Sequence, residues 1–133
     1  MAKKVYIATP VNGRKEATLR AKRNVAYERT KLLEYVINES HIGAEHIEFH
    51  SAFDDDIAPI TQTKLDSEAV IIGKCVQRVM ECDMVVLDLG WEKSKGCRVE
   101  HQTAVVYEKE VYVIERNALN VRLVKVPFRT IRL

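Results

Sequence analysis

Apolar and polar positions change period several times along the chain, and each change marks an element. Residues 4–9 (KVYIAT) form a short apolar, partly β-branched run that predicts a strand, ended by the turn chemistry of Pro10, Asn12 and Gly13. From about residue 16 to 39 no proline or glycine intervenes. Leu19, Ala26, Leu33, Val36 and Ile37 recur there at helical spacing, while Arg20, Lys22, Arg23, Lys31 and Glu34 fill other faces. This predicts a long amphipathic helix, closed near Gly43. Residues 45–50 (EHIEFH) alternate as a strand does. Residues 51–66, with Asp54, Asp55, Asp56 and Pro59, have no clear period and read as an irregular, mobile excursion holding about one helical turn.

Asp66 or Ser67 is placed to cap a helix running through Val70, Ile71, Cys75, Val79 and Cys82, with Gly73 a mild weakness inside it. Residues 83–89 follow with the continuous apolar core MVVL, the pattern of a strand covered on both faces. Ser94 caps the next predicted helix, whose buried side is expected to be Val99, Thr103, Ala104, Val106 and Tyr107. Residues 110–115 and 121–126 are two further strands, and the tail after Pro127 carries no assignment. Strands separated by helices predict a doubly wound, mostly parallel α/β sheet with right-handed crossovers. Such sheets bind ligands beyond the carboxyl ends of their strands. Three segments fall on that edge: residues 9–15, those after His50, and 90–95.

At 133 residues and 47% hydrophobic content the chain fits one domain. Its net charge of +2 gives no global field, so an anion preference has to come from a local cluster, and no nucleic-acid polymer is implied. No apolar run is long enough to span a bilayer and no leader is visible at the start, so a cytoplasmic location without membrane contact is expected. Cys75, Cys82 and Cys97 lack paired spacing and read as buried or idle thiols. The phosphate-loop, dinucleotide and zinc-protease motifs are all missing.

The chemistry that remains lies on the loops. Ser94, Lys95 and Gly96 open a helix, so free backbone amides, a hydroxyl and a small residue face one loop, an arrangement suited to phosphate. Lys93, Lys95 and the Gly13–Arg14 pair, through its arginine, can add positive charge to the same edge. Glu100 lies in the second turn of that helix behind Gly96, and Asp88 lies at the end of its strand; alternatively both are solvated or helix-paired acids. Trp91 is either a core wedge or a platform for a planar base. His101 points about 100° away from Glu100 and is not its obvious partner.

Residues 4–14 (KVYIATPVNGR) together with 82–100 (CDMVVLDLGWEKSKGCRVE) resemble the nucleoside 2-deoxyribosyltransferase-like superfamily, and within it a small uncharacterised branch. The resemblance implies a flavodoxin-like, Rossmann-like three-layer sheet and chemistry at the N-glycosidic bond of a nucleoside or nucleotide. It assigns Glu100 as the nucleophile, with Tyr6 and Asp88 as groups that orient it or the substrate. Thr9, Gly13, Arg14, Trp91, Ser94 and Gly96 become substrate-binding residues. Transferases of this kind that act on free nucleosides carry aspartate at the position of Ser94, whereas the monophosphate hydrolases carry serine there and a glycine-arginine pair in the first loop, as here. The preferred substrate is therefore expected to be a nucleoside 5′-monophosphate, with no metal or organic cofactor and a homodimer or higher homo-oligomer. One departure stands out: Cys75 occupies the position of an aspartate that helps protonate the leaving base, so Asp88 or an acid among Asp54 to Asp56 has to substitute, or catalysis is slow or lost. The rival expectation is a catalytically silent nucleotide-binding module using the same pocket.

Overall fold

Side chains that alternate across a strand can reach opposite layers, and the central strands here use both. The computed structural model describes residues 2–11, 16–39, 46–116 and 121–126. Its elements are β1 (Lys3–Ala8), α1 (Glu16–Glu39), β2 (Ile47–His50), α2 (Glu68–Glu81), β3 (Met84–Leu87), a 3-10 turn (Trp91–Lys93), α3 (Lys95–Val106), β4 (Glu110–Arg116) and β5 (Val121–Val126). The strands form one five-stranded sheet in the order β2-β1-β3-β4-β5. Pairs β1–β2, β1–β3 and β3–β4 are parallel, and β4–β5 is antiparallel. The fold is therefore α/β with a mostly parallel sheet. The expected last strand is present, and its direction follows from chain length. β4 ends at Arg116 and β5 starts at Val121, an interval that permits a hairpin but not a crossover.

Two cores result from the alternation. On one face Tyr6, Ala8, Val85, Leu87 and Val111 pack with Cys75, Val79 and Cys82 of the α2 region and with Cys97 and Ala104 of α3. On the other, Val5, Ile7, Met84 and Val86 pack with Leu33 and Ile37 of α1. Helices thus cover both faces, which is why the MVVL run has no polar position: all four residues of β3 are buried. Each such side chain contributes about 1.5–3 kcal/mol on burial.

Two helical faces differ from the expected ones. On α3 Val99, Val106 and Tyr107 are exposed, and the inward residues are Cys97, Glu100 and Ala104. A carboxylate has taken a core-facing position that apolar periodicity assigns to valine. On α1 Arg23 is buried, although its charge suggests an outer face. It continues the inward line of Ala26, Thr30, Leu33 and Ile37.

The 51–66 segment has no helix and is closed by hydrogen-bonded turns, among them Ile57 N to Asp54 O at 2.9 Å and Ala58 N to Ala52 O at 3.0 Å. Two arginines tether it. Arg78 of α2 pairs with both Asp54 and Asp56, and Arg23 of α1 donates to the carbonyls of Ala58 at 2.9 Å and Pro59 at 3.1 Å. Ile57 and Ala58 are buried in the core, so the segment is part of the packed structure and not a free excursion.

Candidate functional site

Strand order reverses beside β1, because the chain passes from β1 outward to β2 and then returns to the other side of β1 as β3. At such a switch the connections after neighbouring strands diverge and leave a crevice. A cavity of about 920 Å³ occupies that edge. Its walls come from the residues after β1 (Thr9, Val11), the start of α1 (Leu19, Arg23), the 51–66 segment (Phe53, Leu65), the inward side of α2 (Ile71, Cys75) and the start of α3 (Ser94, Gly96, Glu100).

Glu100 is the buried acid of this wall. Its residue is 7% exposed, and Oε2 is buried with no hydrogen-bond partner among the described residues. Burial raises its pKa to about 7, with the nearby Tyr6 hydroxyl pulling partly in the opposite direction. Tyr6 is fully buried behind it on β1, and its own Oη is likewise without a hydrogen-bond partner among the described residues. The two groups are close enough to sense each other electrostatically without meeting in hydrogen-bond geometry. Burial, then Glu100 and Cys75, push the Tyr6 phenol well above its ordinary range. Cys75 lines the same cavity, and burial followed by the Glu100 charge pushes its thiol up to about 12. Cys97 is pushed up to about 12 for the same two reasons.

Helix α3 opens as its sequence requires. Gly90 takes a left-handed conformation (φ 83°), which turns the chain from β3 into the 3-10 turn. Ser94 then caps α3, accepting from Cys97 N at 3.3 Å. Ser94, Lys95, Gly96 and Cys97 all line the cavity, so the free amide end of a 12-residue helix faces it. A methyl group at position 96 would lie 4.0 Å from Glu100 Oε1, so glycine keeps that carboxylate oxygen uncovered rather than relieving a clash.

Of the residues singled out from the sequence, Glu100, Tyr6, Thr9, Ser94 and Gly96 are brought together around this cavity. Thr9 Oγ1 also lies 3.1 Å from Thr30 Oγ1 of α1. Asp88 is placed elsewhere. It follows β3 on the side of α1, where it pairs with Arg29, including Nε to Oδ2 at 3.2 Å, and accepts from Leu89 N at 2.7 Å. Trp91 is not part of the cavity wall either. It packs on the core and meets the His101 ring at 4.6 Å between centroids with the planes tilted by 59°, the wedge alternative. Gly13 and Arg14 lie outside the described residues.

Among the acids considered as substitutes for an aspartate at position 75, Asp54 and Asp56 are held by Arg78, and Asp88 by Arg29. The cavity instead receives Asp66 and Glu68 from the start of α2. Sequence reading missed these two, along with Phe53 and Arg23. Only Arg23 carries a usable signal, its place three residues before Ala26 and seven before Thr30 on an otherwise inward line. No cluster of three or more metal-ligating side chains occurs among the described residues.

Fold and site together define an α/β domain with a ligand-sized crevice at its strand ends and a buried carboxylate in the crevice wall. The chain belongs to the family described as "Domain of unknown function (DUF4406)", whose model matches residues 3–113. No curated protein and no solved structure matches it. Among the described residues no helix is long and apolar enough to cross a membrane.

Proposed function

We propose that the protein cleaves or transfers at the N-glycosidic bond of a nucleoside 5′-monophosphate, with Glu100 as nucleophile, on a flavodoxin-like sheet of the nucleoside 2-deoxyribosyltransferase kind. The observation that carries this reading is Glu100 itself: a buried, unpartnered carboxylate oxygen in a cavity wall, one and a half turns along α3 from free helix amides. In the ionised form it attacks the anomeric carbon. The C–N bond breaks, its electron pair leaves with the base, and a glycosyl ester forms that water or another base resolves. Tyr6 limits where the carboxylate can sit, and the amides and hydroxyl at Ser94 to Gly96 supply donors for the 5′-phosphate. Lys93 and Lys95 add charge on the same wall. The free thiols accord with a reducing, cytoplasmic setting.

The rival reading, a nucleotide-binding module without turnover, is favoured by Cys75. Its thiol, pushed up to about 12, is a poor proton donor to a leaving base. Incubation with a panel of nucleosides and their 5′-monophosphates, followed by chromatography of free base, separates the two. Base release from monophosphates, lost in Glu100→Ala, is the expected result. Tight monophosphate binding without release supports the silent module. Faster cleavage of unphosphorylated nucleosides overturns the phosphate preference, and release that survives Glu100→Ala shows the nucleophile to be another group.

A further inference from the structure

Arg23 is a charged cavity residue that the reaction above leaves unused. It is 8% exposed and lines the cavity, yet no carboxylate pairs with it among the described residues. Its hydrogen bonds run through Nη2 alone, to the carbonyls of Ala58 and Pro59, which leaves Nε and Nη1 without an acceptor among the described residues. Its guanidinium carbon lies 5.9 Å from the centre of the Phe53 ring, which Tyr27 braces edge-on at 5.6 Å. Two carbonyls engage only part of this five-donor group, so the rest of the guanidinium can donate to a ligand in the cavity.

The sheet order says which part of a ligand would meet it. Phe53 follows β2 and the free amides of α3 follow β3, with β1 between them. The two strand ends are therefore two strand spacings apart, ~9–10 Å. With phosphate at the α3 end and the sugar over Glu100, the base falls at the end formed by Phe53, Leu65 and Arg23.

Resting on the monophosphate reading of this site, we propose that Arg23 reads the base edge and selects bases presenting oxo acceptors over their amino counterparts. A guanidinium only donates, so a carbonyl oxygen, or an oxygen with an adjacent ring nitrogen, completes its hydrogen bonds. An amino group in the same place leaves two donors facing each other, the mismatch that gives polar sites their strongest discrimination. Asp66 and Glu68 line the same cavity and favour amino groups, so they set the competing preference.

Matched pairs that differ by this exchange test the assignment: the 2′-deoxy 5′-monophosphates of hypoxanthine and adenine, and those of uracil and cytosine. They are titrated calorimetrically into the full chain carrying Glu100→Gln, so that affinity is read apart from turnover. The oxo member of each pair is expected to bind roughly ten- to a hundredfold more tightly. Arg23→Met is expected to bring it down to the affinity of the amino member, and Arg23→Lys to retain part of the difference; far-ultraviolet circular dichroism verifies that both variants fold. Equal affinities, a preference unchanged in Arg23→Met, or an amino preference that disappears in Glu68→Gln each overturn the role of Arg23. Base release is measured separately with the native chain. Discrimination without release sinks the glycosidic reaction and keeps Arg23, whereas release without discrimination does the reverse.

Discussion

Glu100 occupies a position where its two protonation states have opposite merits. A carboxyl group whose pKa is raised by burial from its ordinary 4.5 to about 7 is neutral in the folded protein over a range where it ionises in the unfolded chain. The native state therefore binds more protons between those values, and stability falls as pH rises through them. Below about 4 the group costs nothing; above about 7 the full penalty of a buried charge is present, on the order of 3 kcal/mol. Glu100→Gln is thus expected to leave denaturant stability nearly unchanged at pH 4 and to raise it at pH 8, by up to that amount. The nucleophile has the reverse requirement, since only the ionised form attacks. In the native protein, kcat/KM for base release is expected to climb with pH and level off above about 7, with a single ionisation in the rising limb. Stability and reactivity moving in opposite directions across the same ionisation would identify one group behind both. A pH-independent rate between 5 and 8 would exclude Glu100 as the attacking group.

At the scale of elements, α3 carries both ends of the proposed chemistry, because its first turn faces the cavity and its second presents Glu100. The cap and the ligand therefore draw on the same residue. Ser94→Ala removes an acceptor from Cys97 N and is expected to lower stability by about 1 kcal/mol. Ser94→Asp keeps a good cap but puts a carboxylate where a phosphate would bind, and it is expected to move the kcat/KM ratio from 5′-monophosphates towards free nucleosides by tenfold or more. A ratio that stays constant while melting temperature is retained would place the phosphate elsewhere. This element was legible in sequence because cap, glycine and periodicity are local signals: Ser94 and the MVVL strand are found where such signals put them. The inward face of α3 was not legible. Periodicity ranks Val99 and Val106 above Glu100 as core residues, and only the packing of α2 beside α3 turns the glutamate inward. The same holds for Asp88, whose partner Arg29 is 59 residues away, and for Arg23, whose carbonyl partners are 35 and 36 residues away. Long-range pairs of this kind leave no periodic trace.

For the whole molecule, the layer that builds the site also leaves apolar surface uncovered. α2 and α3 lie side by side over one face of the sheet, and on their outer sides Val70, Met80, Val99, Val106 and Tyr107 are each between 38% and 58% exposed. Scattered exposed apolar residues are ordinary, but two adjacent helices that both line a cavity and both show valines outward form a surface suited to a second copy of the chain. α1 shows apolar side chains as well, at Val25, Leu32 and Tyr35 (65%, 49% and 64% exposed), so exposure alone does not choose the face. Because α2 and α3 also line the cavity, we propose that the homo-oligomer expected from the sequence uses their layer. Sedimentation equilibrium at micromolar concentration is expected to give a mass at least twice the 15.3 kDa of the chain. Val106→Glu, on the exposed end of α3, is expected to shift that mass to the monomer, because a desolvated charge in an isologous contact is met twice by symmetry. A corresponding charge on α1, Leu32→Glu, tests the choice of face, since Leu32 is 49% exposed and belongs to the opposite layer. Dissociation by Leu32→Glu with an intact Val106→Glu dimer would move the interface to α1, and a monomeric native chain would remove it altogether. If the α2–α3 contact holds, monomerising substitutions are also expected to weaken monophosphate binding, because the helices that form the contact are those that shape the cavity.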